Sequence, residues 1–532
     1  MDEHETQPDS STVETLQSLI VAFVLAMTFR GFVTEGFVIP TGSMAPTLMG
    51  RHLLLQSPQT GYRYRIDAKY IQDDRDKGLL SKTYPLQDPM LGPNDTIASP
   101  TVKALPRTRL GDRVLVLKCL YPFSEPDRFD VVVFKNPTNP DSESENYIKR
   151  LIGLPGEAIW LVDGDVFVAS ADDPKSYDTY HIQRKPEYVQ RAVWQPLHNS
   201  DYIPIHLERL RDLTARRYQP PWTGDDWSTR GARRYRCENA GSTILQWDPQ
   251  QIPLSDLTIY NMASFRKVTN YPVSDLRVSA GIVADREGLS ITLQIEARRH
   301  LFTFSIADGK ATMRMQPLDG SDSRTVEQTV EVAGPRPGRA YDVEFWHVDQ
   351  SMLIFVNGRR VGQRLEYDWT PTRRIEETFH PLSFKEWQTN RASPMIVPTT
   401  TPQIRWRFSG SPLTIHRLRV DRDLYYRPAR LSRQRNPPQH RGPGFGTHPD
   451  NIAILGPDHF FMLGDNSPAS SDSRLWGSPH PLVKRQIDDA AFLVNRKLLL
   501  GKAWVVYFPA PYSVTARGRG VVPAFGRLRF IR

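Results

Sequence analysis

Cysteine is nearly absent: only Cys119 and Cys237 occur in 532 residues. Two thiols build neither a disulfide framework nor a complete cysteine-based zinc site. They fall in what read as different domains, so two inert thiols are expected, with a single bridge left open. Long apolar runs are absent beyond one segment near the N-terminus, and only 39% of residues are hydrophobic, which excludes a polytopic membrane protein. Glycine (33) is outnumbered by proline (44), which favours loops and short strands over long helices. No internal repeat is found. The net charge is +9, but zinc-finger spacing, a basic helix leading into heptads and an aromatic-basic signature are all missing. Nucleic acid is therefore not an expected partner. Charged residues make up an ordinary 24%, against wholesale disorder.

The apolar segment runs from Leu16 to Val33, with Arg30 as its only charge. The residues before it are acidic and contain neither Lys nor Arg, unlike a cleavable signal peptide. A buried core helix is an alternative, but the segment stands beside a polar tail rather than a domain. The reading is a polar tail over 1–14 and a transmembrane helix over 15–33. The charge distribution gives no support to a cytoplasmic N-terminus, a rule that binds weakly when a large domain follows.

Directly after it, Phe37 to Leu48 reads FVIPTGSMAPTL. Pro40 and Pro46 restrict the chain to extended or turn geometry, and Gly42 permits close backbone approach. Ser43 could thus be exposed beside free N–H groups, as an acyl-transfer nucleophile requires; taken alone, the stretch reads rather as a membrane-proximal turn. Arg128 to Phe134 (RFDVVVF) has the β-branched content of a buried strand. The strand pattern resumes in Asn146 to Glu157, NYIKRLIGLPGE. Alternation there places Tyr147, Lys149 and Leu151 on one face and Ile148, Arg150 and Ile152 on the other. A solvated surface lysine is the usual reading, yet apolar neighbours can desolvate the amine, which lowers its pKa and makes it a base. A third stretch, Met462 to Arg474 (MLGDNSPASSDSR), reads as a strand ending in a structured loop. It offers Asp465, Asp472 and Arg474 for a buried ion pair.

In order and chemistry these segments, with GDRVLVLK (Gly111 to Lys118), resemble the motif series of bacterial type I signal peptidases, the serine–lysine S26 family. The resemblance covers about residues 15–165 and 451–510. It implies Ser43 as nucleophile and Lys149 as general base. It also implies an oxyanion hole from the Thr41 hydroxyl and the Ser43 N–H, and Ser470 holding the Lys149 amine. Met44, Asp465, Asp472 and Arg474 would be structural at the site, with Met44 beneath the nucleophile. Neither a metal nor a cofactor is implied. The family commonly has Arg-Asp-Asn after GDN, where this chain has Ser467-Pro468-Ala469, and the loop's rigidity is in question there. The implied activity is removal of signal peptides from secretory preproteins after small-x-small sequences. Its implied setting is the bacterial inner membrane, with a lipid bilayer as partner and the catalytic domain on the extracytoplasmic side.

The expected fold is mainly β: a catalytic domain from 34–166 and 451–532, a polar insertion at 51–110, and a larger insertion over 167–450. Within the larger one, short alternating strands at about 235–425 suggest a β-sandwich. Examples are Leu289 to Glu296, His300 to Ile306, Tyr341 to His347, and Ser351 to Val361 around Asn357-Gly358. That part resembles concanavalin- or laminin-G-like jelly rolls, which implies glycan or protein binding only at fold level; a spacer is an equal alternative. Trp160 to Val168 reads as a hairpin turning at Asp163-Gly164. Ser57 to Tyr62 looks like a zinc-knuckle turn without its cysteines. Ser264 to Lys267 matches S-x-x-K but lacks the companion motifs of penicillin-binding enzymes. Arg427 to Gly444 reads as a linker. The other class left open is a membrane-anchored binding protein whose peptidase half is a scaffold.

Overall fold

The computed structural model describes residues 12–92, 96–98, 100–140, 146–204, 219–228, 233–263, 269–320, 325–390, 392–431, 442–513 and 521–532. Ser264 to Lys267, most of the N-terminal tail and residues 432–441 of the linker lie outside the described residues. An α-helix over Thr12–Thr28 continues as a π turn over Phe29–Val33. Leu16, Leu19, Phe23 and Leu25 are exposed along it. Among the described residues, Glu14–Val33 is the one helix long and apolar enough to cross a membrane, and none of it is buried against the protein.

The chain is mainly β. A mixed-length antiparallel sheet follows the helix, in the order Thr34–Val38, Arg113–Leu117, Leu499–Phe508, Val131–Lys135, Asn146–Gly153, His459–Leu463 and Val494–Asn495. Period-two alternation sends Val131, Val133 and Ile148 into one core with Met44, Leu48 and Val116. Val132, Phe134 and Leu151 enter a second core with Phe460, Met462 and Trp476. With both faces covered, Val131–Phe134 is buried throughout, as its unbroken apolar run requires. A second sheet contains the hairpin Glu157–Val162 and Asp165–Ser170. Its turn residues Asp163 and Gly164 have φ of 48° and 87°, the left-handed pair a two-residue hairpin demands.

Residues 51–110 are more than a polar insertion. A hairpin of His52–Gln56 and Arg63–Asp67 and a helix over Lys69–Asp76 enclose a small core of Leu53, Leu55, Ile66, Ile71, Leu86 and Val102. Those residues are spread thinly through polar sequence, so local composition hid them. Within it, the Ser57 hydroxyl accepts from the Thr60 N–H at 3.2 Å.

The large insertion contains two stacked antiparallel sheets. One includes Leu276–Ala284, Ala340–Val348, Ser351–Val356 and Leu413–Arg422; the other includes Ser290–Ala297, His300–Ala307, Lys310–Pro317 and Gln403–Ser409. Val278, Phe345 and Ile415 face Leu293, Phe304 and Trp406 across a common core. The sandwich begins earlier than about residue 235: Gln195–Asn199, Trp222–Thr223 and Trp227–Ser228 also pair into it. These pieces are too short, and one contains Pro196, to show an alternating pattern. Cys237 is buried in this domain and Cys119 half-buried in the catalytic part; both are free thiols.

A helix starting at Thr370-Pro371 and ending at Phe379 is capped by the Thr370 hydroxyl and carries Arg374. Arg374 binds Asp163 at 2.9 Å and Asp165 at 2.7 Å, both on the Glu157–Ser170 hairpin. Arg298 of the sandwich also binds Asp163, at 2.9 Å, and reaches Asp275 at 2.8 Å. Lys185 bridges Asp349 and Asp423 at 2.5 and 2.8 Å. The four carboxylates Asp165, Asp275, Asp349 and Asp423 lie close together, yet each is engaged by one of these cations, so the group is an ion-pair network joining insertion to hairpin. Removing one member of a buried network strands its partners. Arg374→Ala is expected to lower the unfolding free energy by about 3 kcal/mol or more in denaturant titrations; a loss below about 1 kcal/mol would show that the network does not clamp the two parts.

Candidate active site

The serine-bearing loop is held from below. Ile39, Met44 and Leu48 are buried in the catalytic core. A tight turn follows the serine, with the Ala45 N–H donating to the Gly42 carbonyl at 3.0 Å and the Leu48 N–H to the Met44 carbonyl at 2.9 Å. Sinking Met44 turns its neighbour Ser43 outward and leaves it half-buried. Gly111 is required here: a β-carbon on it would overlap the Ile39 carbonyl.

Lys149 sits in mid-strand, opposite Val132, and is 4% exposed. Its Nζ donates to Ser43 Oγ at 2.6 Å. The Tyr147 ring lies 5.3 Å from the same nitrogen. Burial, the largest influence, pulls the Lys149 pKa down from 10.5 to about 8, while the Asp472 carboxylate opposes the shift and Arg474 supports it. Desolvation wins because the Asp472 charge is already spent on Arg474, which binds it at 2.7 and 2.9 Å. Burial alone would raise the Asp472 carboxyl, but Arg474 and the Gly464 N–H hold it below the usual range.

Asp465 does not pair with Arg474. It accepts two bonds from Arg150, at 2.8 and 2.6 Å, with both side chains fully buried. It also accepts the Thr47 hydroxyl. Alternation put Arg150 on the strand face away from Lys149, but its partner lies hundreds of residues along the chain, beyond any local pattern. One carboxylate therefore ties the serine loop to the lysine strand. Arg474 instead reaches the Ser467 hydroxyl at 2.7 Å and the Arg427 carbonyl at 2.7 Å, so Ser467 supplies an anchor in the stretch whose rigidity was in question.

Ser470 is buried beside Gly464, where any β-carbon would overlap its hydroxyl and the Ser43 carbonyl. The expected bond from Lys149 to Ser470 is not formed. The amine is directed at Ser43, and the Ser470 hydroxyl has no partner among the described residues. Thr41 is exposed, and neither its hydroxyl nor the Ser43 N–H is engaged by another group among the described residues. Sequence reasoning also missed Asn466, whose N–H donates to the Ser43 carbonyl at 3.0 Å and whose side chain donates to the Gly42 carbonyl at 2.8 Å. Its position inside the GDN motif was a signal left unused.

A hydroxyl in contact with a dry amine whose pKa burial pulls down to about 8 has the geometry that a nucleophile and its base require. The same burial bears on stability. Because the folded pKa is depressed, between about 8 and 10.5 the unfolded chain holds a proton that the folded chain has shed, so stability rises with pH across that window. Below it the full penalty applies, on the order of 3 kcal/mol at about 1.36 per unit. Lys149→Met is expected to raise the unfolding free energy by roughly 2 kcal/mol near neutral pH, the gain fading toward pH about 10.5. Equal stability of the two proteins at neutral pH would contradict a depressed amine.

The family profile described as "Signal peptidase, peptidase S26" matches residues 95–209. The chain is 38% identical over 95 residues to a signal peptidase I of Leptolyngbya laminosa, covering 17% of this chain and 44% of that one. It is 24% identical over 195 residues to a probable signal peptidase I-2 of Synechocystis, covering 36% and 60%. To the signal peptidase I of Buchnera aphidicola it is 29% identical over 218 residues, covering 38% and 53%. The chain thus spans about half the length of these curated relatives. Among solved structures, a carbohydrate binding module from Bacillus subtilis covers 38% of this chain and 95% of its own at 7% identity and a TM-score of 0.22, too low a likeness to support any inference. The profile match includes the strand that carries Lys149, and over that stretch the chain is similar to the S26 signal peptidases.

Proposed function

We propose that this protein is a membrane-bound serine endopeptidase that removes N-terminal signal peptides from exported preproteins after small-x-small sites. The observation that carries the reading is the 2.6 Å contact between Ser43 Oγ and a buried lysine amine. In its neutral form Lys149 takes the Ser43 proton as Oγ attacks the scissile carbonyl. Charge gathers on the carbonyl oxygen, where the Ser43 N–H and the Thr41 hydroxyl donate. The resulting ammonium protonates the departing amine, leaving the signal peptide as an acyl ester on Ser43. Lys149, neutral again, deprotonates a water that attacks the ester; the peptide leaves with a free carboxylate, and the proton returns to Ser43.

The same geometry supports a membrane setting. Only the short strand Thr34–Val38 separates the apolar helix from the serine loop, which keeps the site near the level where the helix ends. That strand lies at the sheet edge, where an extended substrate could add by backbone pairing. The helix would anchor the enzyme in the bacterial cytoplasmic membrane with the catalytic domain outside, so that enzyme and preprotein share one bilayer.

The test is cleavage of a membrane-embedded preprotein. Ser43→Ala and Lys149→Ala are each expected to lower the rate by roughly a thousandfold or more. Because the base acts when neutral, kcat/KM is expected to rise with pH and level off above an apparent pKa near 8. Equal processing by all three proteins would overturn the assignment.

A further inference from the structure

A turn of the large insertion, Ile259–Asn261, packs on the serine loop. Tyr260 and Asn261 are both buried there. The Tyr260 ring lies so close over Gly42 that a β-carbon on the glycine would overlap it, and Tyr260 clusters with Ala45 and Met49. Its hydroxyl donates to the Arg51 carbonyl at 3.2 Å. Beside it, two side-chain amides exchange hydrogen bonds: Asn261 Nδ2 donates to Asn466 Oδ1 at 2.7 Å, and Asn466 Nδ2 donates to Asn261 Oδ1 at 2.8 Å. Asn466 Nδ2 also supplies the bond to the Gly42 carbonyl, at 2.8 Å.

This arrangement fixes a direction. Turning either amide alone sets donor against donor and acceptor against acceptor, losing both bonds of the pair. Turning both together presents the Asn466 oxygen to the Gly42 carbonyl. The remaining orientation holds the Gly42 C=O, which also accepts from the Ala45 N–H at 3.0 Å. The Gly42–Ser43 peptide is planar, so fixing its C=O fixes the opposing Ser43 N–H. That N–H is the backbone donor assigned above to the oxyanion.

We propose that Asn261, supported by Tyr260 packed on Gly42, is a positioning residue for acyl transfer. It holds Asn466 so that the Ser43 N–H stays aimed at the developing oxyanion. The inserted domain is then a working part of the site, and Asn261 acts through two intermediaries without touching substrate. The proposal rests on the serine-peptidase reading of Ser43 and Lys149.

Removing an oxyanion donor outright costs about 100- to 1,000-fold in kcat, and a donor left in place but loosely aimed loses part of that. In the full chain reconstituted in vesicles, Asn261→Ala is expected to lower kcat about 10- to 50-fold with KM within about twofold. Affinity for a peptide boronate, which forms a tetrahedral adduct on Ser43, falls in parallel. The apparent pKa of the rate profile stays with the wild type, because Lys149 is untouched. Asn261→Asp, which sets oxygen against Asn466 Oδ1, ranks with the alanine variant. Ile354→Val, in the sandwich core, reports what general loosening of the insertion does and leaves kcat and boronate affinity unchanged. Wild-type kcat and boronate affinity in Asn261→Ala would overturn the proposal alone, as would a loss that merely tracks the unfolded fraction. A wild type that neither cleaves nor takes the boronate would overturn the serine-peptidase reading, and the proposal with it.

Discussion

An amine kept out of water, 2.6 Å from a serine hydroxyl, is the contact around which this molecule is arranged. Keeping Lys149 dry requires a strand buried on both faces, so the catalytic sheet carries a core on each side. Keeping it close to Ser43 requires the serine loop and the lysine strand to be tied together, which Asp465 does by accepting from Arg150 and Thr47 at once. Keeping it mostly free of compensating charge requires the carboxylate that acts on it most strongly to be occupied, and Arg474 occupies Asp472. Two buried ion pairs, Arg150–Asp465 and Arg474–Asp472, thus serve the surroundings of one amine.

The strand that completes the lysine's surroundings, His459–Leu463, arrives after the whole insertion has been traversed. Loop-closure entropy grows only slowly with length, so a large insertion between two sheet neighbours is thermodynamically mild, provided it brings its own core. The sandwich does. What the fold adds is a rigid junction: the Arg298 and Arg374 network on the Glu157–Ser170 hairpin, and the Tyr260–Asn261 turn on the serine loop.

What could be read beforehand was local. Val131–Lys135, the hairpin at Asp163-Gly164 and the sandwich strands around Asn357-Gly358 announce themselves through β-branched runs, alternation and turn residues. Ser43 and Lys149 stood out through the order and resemblance of their motifs; a glycine between prolines and apolar flanks on a strand made those roles physically reasonable but did not select them. The remainder was hidden because it depends on partners distant in sequence. Asp465 looked available to Arg474 a few residues away, yet it binds Arg150 from another strand. Ser470 was assigned to Lys149 by resemblance, but its hydroxyl is left without a partner while the amine faces Ser43. Asn261 lies in an insertion where no pattern links it to the catalytic motifs, and residues 51–110 hide a core whose apolar members are too scattered to register as elements.

The most direct examination of the central claim is the protonation of Lys149 itself, followed by NMR in protein whose lysines carry 13C-labelled methyl groups, with Lys149→Met identifying its resonance. A titration midpoint near 8, well apart from the surface lysines, is what a desolvated amine beside Ser43 predicts. A midpoint near the ordinary lysine value of about 10.4 would contradict it.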